Sequence, residues 1–394
     1  VVIARSEFCD EATHEKLQGV FPMKGEIKSY LRGMDWAVVS NVLALSVIGF
    51  FVVFSATSHN FDISQLWKKQ LFWFFISLLV LWLFSRIDYR FWIEASYIFY
   101  WVSIVSLLAV LVIGDETNGA RRWIKLGILS YQPSELAKLS VLLVLARYIG
   151  SKTVELFFLG RLLLLMAMLG LPLVLILKQP DLGSALLLVP VSIILMYVGG
   201  VPFKWLTWLL ALGLASSPLV WHFLKDYQKE RLEVFINPQD DPLGAGYNII
   251  QSMIAIGSGG ISGKGYMQGT QTQLSFIPEH HTDFIFSVVG EEWGFVGCVV
   301  VLGLYYFMIQ RTFEISRKAR DREGSLLALG IASMFAVQII INVGMTVGLL
   351  PVTGLTLPFI SYGGSSLVFS YAAVGILLNI SYANRRPVLV TGRG

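Results

Sequence analysis

The stretch Pro278-Glu279-His280-His281-Thr282-Asp283 places five polar side chains directly before a long apolar run that opens at Phe284. Carboxylates at the mouth of a membrane lose part of their hydration, which raises the pKa towards that of a usable general base. Glu279, His281 and Asp283 are therefore candidates for proton transfer, with Glu291 and Glu292 about two turns deeper. The plainer reading makes Thr282 or Asp283 a helix N-cap. Adjacent histidines on a regular backbone point in different directions, which argues against a zinc site at His280 and His281.

Other polar residues also stand where an apolar chain should exclude them. Arg121 and Arg122 precede Trp123. Guanidinium forks bind phosphate in a bidentate manner. The alternative is a loop anchored to lipid headgroups, with Trp123 in the interfacial aromatic belt. In Gln132-Pro133-Ser134-Glu135, Pro133 suits the first helical position and Ser134 and Glu135 the first turn. Capping does not explain Lys138, which sits a turn into a membrane span and shares a face with Glu135. A charged pair inside a bilayer marks a functional site by default. Asp181, in Gln179-Pro180-Asp181-Leu182-Gly183, reads as a helix cap. The glycine-rich Gly257-Ser258-Gly259-Gly260 and Gly263-Lys264-Gly265 fail the phosphate-loop pattern, because Gly265 stands where Ser or Thr is needed. These glycines allow tight turns and close backbone approach; Lys264 could still meet a phosphate as a point charge. Pro351 to Ser366 is dense in Pro and Gly, the mark of a broken helix or re-entrant turn. Such backbone is tolerated only where protein or a water-filled cavity covers it.

The elements that must hold these residues are transmembrane helices. Of 394 residues, 55% are hydrophobic and 14% charged, against roughly a quarter charged in soluble chains. A bilayer core of about 30 Å needs roughly 20 apolar residues per helix. Apolar runs predict about ten spans, opening near Trp36, Leu71, Phe91, Glu135, Leu159, Leu182, Phe203, Phe284, Leu326 and Pro358. The fold class is thus an all-α polytopic membrane protein, with a long loop over residues 226–283 between helices seven and eight. Residues 1–34 read as a cytoplasmic tail or non-native remnant, 35–384 as the transmembrane domain, and 385–394 as a second cytoplasmic tail. Arg86, Arg90, Arg147, Lys152, Arg161, Arg311, Arg317, Lys318, Arg320, Arg322, Arg385 and Arg386 fall on one face in an alternating count. The positive-inside bias makes that face cytoplasmic and puts both termini there. The net charge of +4 points to no nucleic-acid partner. Cys9 and Cys298 lie in a polar tail and an apolar helix, so neither a disulfide nor a zinc spacing is expected.

Five motifs in this order resemble the SEDS family (shape, elongation, division and sporulation): Gly119 to Ile124, Gln132 to Glu135 with Lys138, Gln179 to Gly183, Pro278 to Phe286, and Pro351 to Ser366. The resemblance runs from Asp35 to Asn384. Asp241 to Tyr247, Gly269 to Leu274 and Val352-Thr353-Gly354 are similar to the RodA branch rather than to FtsW, and the sporulation paralogue shares the last of these. The resemblance implies a peptidoglycan glycosyltransferase of the bacterial inner membrane, acting on its outer face. Its substrate would be lipid II, a disaccharide-pentapeptide on undecaprenyl pyrophosphate. Its partners would be a class B penicillin-binding protein, the crosslinking transpeptidase, and the elongation machinery. The residue matching Asp283 is regarded as the family's catalytic residue.

On that basis Asp283 is the expected general base for the acceptor hydroxyl, in an inverting transfer from an α-linked donor to a β-linked product. Arg121 and Arg122, with Lys138 or Lys264, are the candidates for the pyrophosphate. Trp123 would line the sugar path, and Gln132, Glu135, Glu279 and His281 complete the candidate substrate-binding set. A divalent cation, Mg2+ or Mn2+, could share the phosphate charge, although no closed metal site is visible. Two rival expectations remain: a lipid II flippase, which needs a path through the midplane, and a non-catalytic membrane scaffold for a transpeptidase.

Overall fold

The computed structural model describes residues 33–58, 63–117, 120–126, 129–151, 158–215, 218, 221–222, 229, 233–235, 246–274 and 276–385. Most of the N-terminal tail, Cys9, Gly119, Lys152, residues 241–245, Arg386 and the rest of the C-terminal tail lie outside the described residues. In chain order the elements are α1 (Trp36–Thr57), α2 (Leu66–Arg86), α3 (Tyr89–Glu94), α4 (Ser96–Ile113), β1 (Asp115–Thr117), β2 (Ala120–Leu126), β3 (Leu129–Tyr131), α5 (Pro133–Gly150), α6 (Phe158–Lys178), α7 (Leu182–Val198), α8 (Phe203–Ala215), α9 (Tyr247–Ser258), α10 (Thr270–Gln273), α11 (Ile285–Arg317), α12 (Arg322–Thr346) and α13 (Gly364–Arg385).

Among the described residues seven helices are long and apolar enough to cross a membrane, α1, α2, α4, α6, α11, α12 and α13, against about ten expected; α5 carries Glu135, Lys138 and Arg147 within its 18 residues, and α7 and α8 have 17 and 13 residues. The helical polytopic class therefore holds, with three local differences. The span expected near Phe91 is broken at Ala95 into α3 and α4. The last helix opens at Gly364 rather than near Pro358, because the segment before it stays non-helical. The stretch after α4 is not a plain loop but a three-stranded antiparallel sheet in the order β1-β2-β3.

Burial separates inner helices from the lipid-facing wall. The most apolar window of α12 is 78% buried and that of α13 is 83% buried, against 11% for α2. On α2, Phe72, Phe75, Leu79 and Trp82 stand exposed at helical spacing, an outward apolar stripe suited to lipid. Helix α5 is buried along nearly its whole length and packs on α4, α6, α7 and α12. Protein rather than lipid therefore surrounds its charges, and Lys138 Nζ pairs with Glu135 Oε1 at 2.7 Å. The basic residues gather at one end of the bundle. Arg311 and Arg385 meet Asp35, Arg90 meets Asp321, Arg147 donates to the Glu94 carbonyl and Arg322 to that of Gly199.

Helix α11 is broken at Gly294 (φ 64°, ψ −160°), and the break is filled by the glycine-rich loop. Phe295 N and Val296 N donate to the carbonyls of Gly260 (2.9 Å) and Ile261 (3.1 Å). The carbonyls of Glu291 and Glu292, left without helical donors, accept from Lys264 N and Gly265 N, each at 3.0 Å. These four backbone groups freed by the kink thus find partners, as a low-dielectric surrounding demands. The fit needs Gly263 (φ +80°), where an added Cβ would lie 2.1 Å from the Glu292 carbonyl oxygen. Gly263→Ala is predicted to destabilise the protein by about 1–3 kcal/mol. Gly303→Ala, where an added Cβ meets nothing within 4 Å, should change stability by less than about 0.5 kcal/mol. Thermal unfolding in detergent tests this; equal shifts for the two variants would refute the splice.

Candidate active site

The turn before α11 is built around Glu279, which holds a left-handed backbone (φ 53°) unusual for a residue with a side chain. Its carbonyl accepts from Thr282 N at 3.1 Å and Phe284 N at 3.4 Å. The N-cap of α11 is Phe284, whose own side chain makes no capping hydrogen bond. Asp181, by contrast, does cap α7, accepting from Ser184 N at 3.1 Å.

The Asp283 backbone is fixed from two directions. Asn342, fully buried on α12, donates from Nδ2 to the carbonyl of Asp283 at 2.8 Å and to that of Leu355 at 2.7 Å. Ser361 donates to the carbonyl of Thr282 at 2.6 Å and accepts from Leu357 N at 2.7 Å. Tyr362 N donates to the His281 carbonyl at 3.0 Å. Gln338 donates to the Thr356 carbonyl at 2.8 Å. The Pro- and Gly-rich segment is thus a non-helical strap, covered by protein and laced to the Asp283 turn. Asn342, Gln338 and Ser361 escaped the sequence reading. A signal existed: Gln338 and Asn342 lie four residues apart inside an apolar helix, where polar residues are expensive.

Gly354 (φ +74°) marks where the strap meets Asp283 and Arg122. A Cβ placed on it would lie 3.4 Å from Asp283 Oδ2 and 3.9 Å from Arg122 Nη1. An acid and a guanidinium thus flank one point. Arg122 is half-buried; its Nε donates to the Gln179 carbonyl at 3.3 Å and its Nη2 to the Pro180 carbonyl. Gln179 in turn donates from Nε2 to the Leu107 carbonyl at 2.9 Å. Arg121 precedes it on β2, and successive strand side chains point to opposite faces. Arg121 is exposed and shares its face with half-exposed Trp123. The two arginines therefore do not form a single clamp. The sheet is tied to the bundle where Ser365 donates to the Ser130 carbonyl at 2.6 Å.

The remaining candidates are placed as follows. Glu135 and Lys138 form a closed buried pair, with side chains 8% and 2% exposed. Gln132 is half-exposed at the N-cap position of α5. Lys264 is engaged with buried Glu291 at 2.8 Å and with Thr270 at 2.9 Å. The same carboxylate accepts from Gln271 N, Thr272 N and the Thr272 hydroxyl, so it anchors α10 onto α11. The Glu279 side chain is exposed and lies 3.9 Å from the ring of His281. His281 is mostly buried and has its pKa pushed down to about 4, by burial first and by neighbouring His280 second. At neutral pH its ring is uncharged, so the Glu279 contact is no ion pair. His280 is a structural bridge, with Nδ1 2.7 Å from the Ile277 carbonyl and Nε2 2.7 Å from that of Ala56. Among the described residues no three His, Cys, Asp or Glu side chains are grouped to hold a metal ion.

Two stability predictions follow from this geometry. Asn342→Leu should cost about 1–3 kcal/mol, since it strips the donor from two carbonyls; an unchanged unfolding temperature would contradict that. The folded-state pKa of His281 lies below the ordinary histidine value of 6.5. The unfolded chain therefore binds the extra proton, and this contribution to stability, complete above pH 6.5, is lost as pH falls towards 4. His281→Gln should flatten this limb of a stability–pH curve; an identical curve would rule the assignment out.

Known proteins resemble this chain over most of its length. The model of the "Cell cycle protein" family of FtsW, RodA and SpoVE matches residues 35–386. The probable peptidoglycan glycosyltransferase FtsW of Trichlorobacter lovleyi is 40% identical over 373 residues, covering 91% of this chain and 96% of that protein. The peptidoglycan glycosyltransferase MrdB of Escherichia coli K12 is 38% identical over 350 residues, covering 88% and 93%. Among solved structures, a chain from a peptidoglycan synthase complex that coordinates polymerization and crosslinking superposes with a TM-score of 0.77 at 37% identity, covering 90% of this chain and 99% of that one. The rod shape determining protein RodA of Thermus thermophilus gives 0.68 at 32% identity, covering 90% and 98%. With a match over nearly its whole described length, this polytopic membrane protein belongs to the FtsW, RodA and SpoVE family, the SEDS proteins.

Proposed function

We propose that the protein is a peptidoglycan glycosyltransferase that polymerises lipid II into glycan strands, with Asp283 as general base. The observation that carries this reading is the approach of Asp283 and Arg122 to one point beside Gly354. It joins a proton acceptor to a cation, at the end of the bundle opposite the basic cluster. The peptidoglycan glycosyltransferase names of relatives at 40% and 38% identity support the activity.

In the proposed step the acceptor 4-hydroxyl loses its proton to the Asp283 carboxylate. Its oxygen bonds to the anomeric carbon of the donor as the bond from that carbon to the pyrophosphate breaks. Attack from the opposite face inverts the α-linked donor to a β-linked product. Undecaprenyl pyrophosphate leaves with the electron pair, and Arg122 stabilises the charge that develops there. Exposed Arg121, with Trp123 on the same face, contacts the substrate's outer part. Basic residues at the opposite end support a cytoplasmic location for that end; in this reading the reaction runs on the outer face. The branch is that of RodA, serving elongation beside a crosslinking transpeptidase. The likeness to a chain from a complex that couples polymerization to crosslinking supports such a partner.

Polymerisation of purified lipid II by the protein with its transpeptidase tests the reading. Asp283→Ala should abolish glycan strands while the protein stays folded. Arg122→Ala should lower kcat/KM by about 10- to 1,000-fold, as loss of a transition-state charge partner does. Normal strand formation by Asp283→Ala sinks the base assignment. Lipid translocation in vesicles without polymerisation would instead favour a flippase.

A further inference from the structure

At the end of the bundle away from Asp283, three helices meet on one carboxylate. Asp35 precedes α1 and its side chain is 4% exposed. Arg311 of α11 approaches its Oδ2 at 3.1 Å, and Arg385, the last residue of α13, approaches at 3.3 Å. Arg311 also pairs with Glu314 at 2.5 Å, and Lys318 stands 3.7 Å from the same glutamate. Two carboxylates thus face three cations. Arg311 is engaged through Nε, Nη1 and Nη2. Arg385 engages Asp35 through Nη2 alone among the described contacts, and the Lys318 side chain is 72% exposed.

The group surrounds a cavity of about 280 Å³, whose wall includes Asp35, Arg311, Lys318, Ser381 and Arg385. Trp36, beside Asp35, is 53% exposed, as an aromatic residue at a membrane interface is. A pocket at the ends of membrane-spanning helices, with surplus positive charge, has the chemistry of an acidic headgroup site. A guanidinium held in place by a buried carboxylate offers its remaining donors at no further ordering cost.

We propose that this cavity binds the phosphodiester of an anionic phospholipid, held between Arg385 and Lys318. The lipid supplies the anion that the cluster lacks and joins the ends of α1, α11 and α13. The inference stands on this cluster alone and does not depend on the reaction at Asp283.

Native mass spectrometry of the full chain, titrated with phosphatidylglycerol or with phosphatidylcholine of identical acyl chains, tests it. Phosphatidylglycerol should be retained at least about tenfold more tightly. Lys318→Ala should weaken it about five-fold, the equivalent of roughly 1 kcal/mol for one basic group near the surface. Arg385→Ala should do at least as much. Lys318 is exposed and only loosely paired, so its variant keeps the test valid if Arg385→Ala fails to fold. Lys204→Ala, on exposed α8, should leave retention unchanged. Equal retention of the two lipids overturns the proposal, as does indifference to Lys318→Ala. Displacement of the lipid by equimolar glycerol phosphate also overturns it, since the site would then take a soluble phosphate.

Discussion

One amide, that of Asn342, donates to two carbonyls from segments 72 residues apart, Asp283 and Leu355. Both segments run outside regular helix. In a medium without water each unpaired carbonyl there would cost free energy comparable to a lost hydrogen bond. The requirement to satisfy them is what shapes the site. Asn342 does so from α12, Ser361 from the strap itself, and Gln338 from one turn before Asn342. The Asp283 turn is consequently held by a helix and by the strap, so its carboxylate sits on rigid supports rather than on a free loop.

The same constraint operates at Gly294. There a helix is interrupted, and a glycine-rich loop supplies and accepts the missing hydrogen bonds. The two buried carboxylates with ammonium partners follow a related rule. Glu135 with Lys138 and Glu291 with Lys264 lie among protein atoms. A buried charge without its partner is strongly unfavourable, so each pair works as a unit. Glu291 uses its remaining lone pairs on the backbone of α10. Lys264, a phosphate candidate by sequence, is thereby explained as an anchor of the glycine-rich loop and α10.

What the sequence discloses divides along the range of the interactions. Helices were legible because they need only a local apolar run, and Pro133 and Asp181 were legible because caps are local. The Glu135–Lys138 pair was legible because helical spacing puts residues three apart on one face. The alternation that separates Arg121 from Arg122 was not, because it depends on β2 pairing with β1 and β3. The role of Asn342 was hidden because its partners are 59 and 13 residues away. The purpose of Gly263 emerges only once Gly294, 31 positions on, is seen against it. The order of polar motifs pointed to the family, whose model matches residues 35–386, while contacts between them had to come from the fold.

In the proposed reaction the Asp283 carboxylate accepts a proton in the transition state while the surrounding frame binds substrate. The sharpest measurement separates these two roles in Asp283→Asn, which keeps size and shape but removes the base. Lipid II binding and turnover should be measured on the same preparation. Binding should stay within about twofold of the unaltered protein, with turnover lower by about 10²–10⁴-fold. Turnover that survives intact, or binding lost in step with turnover, would contradict it.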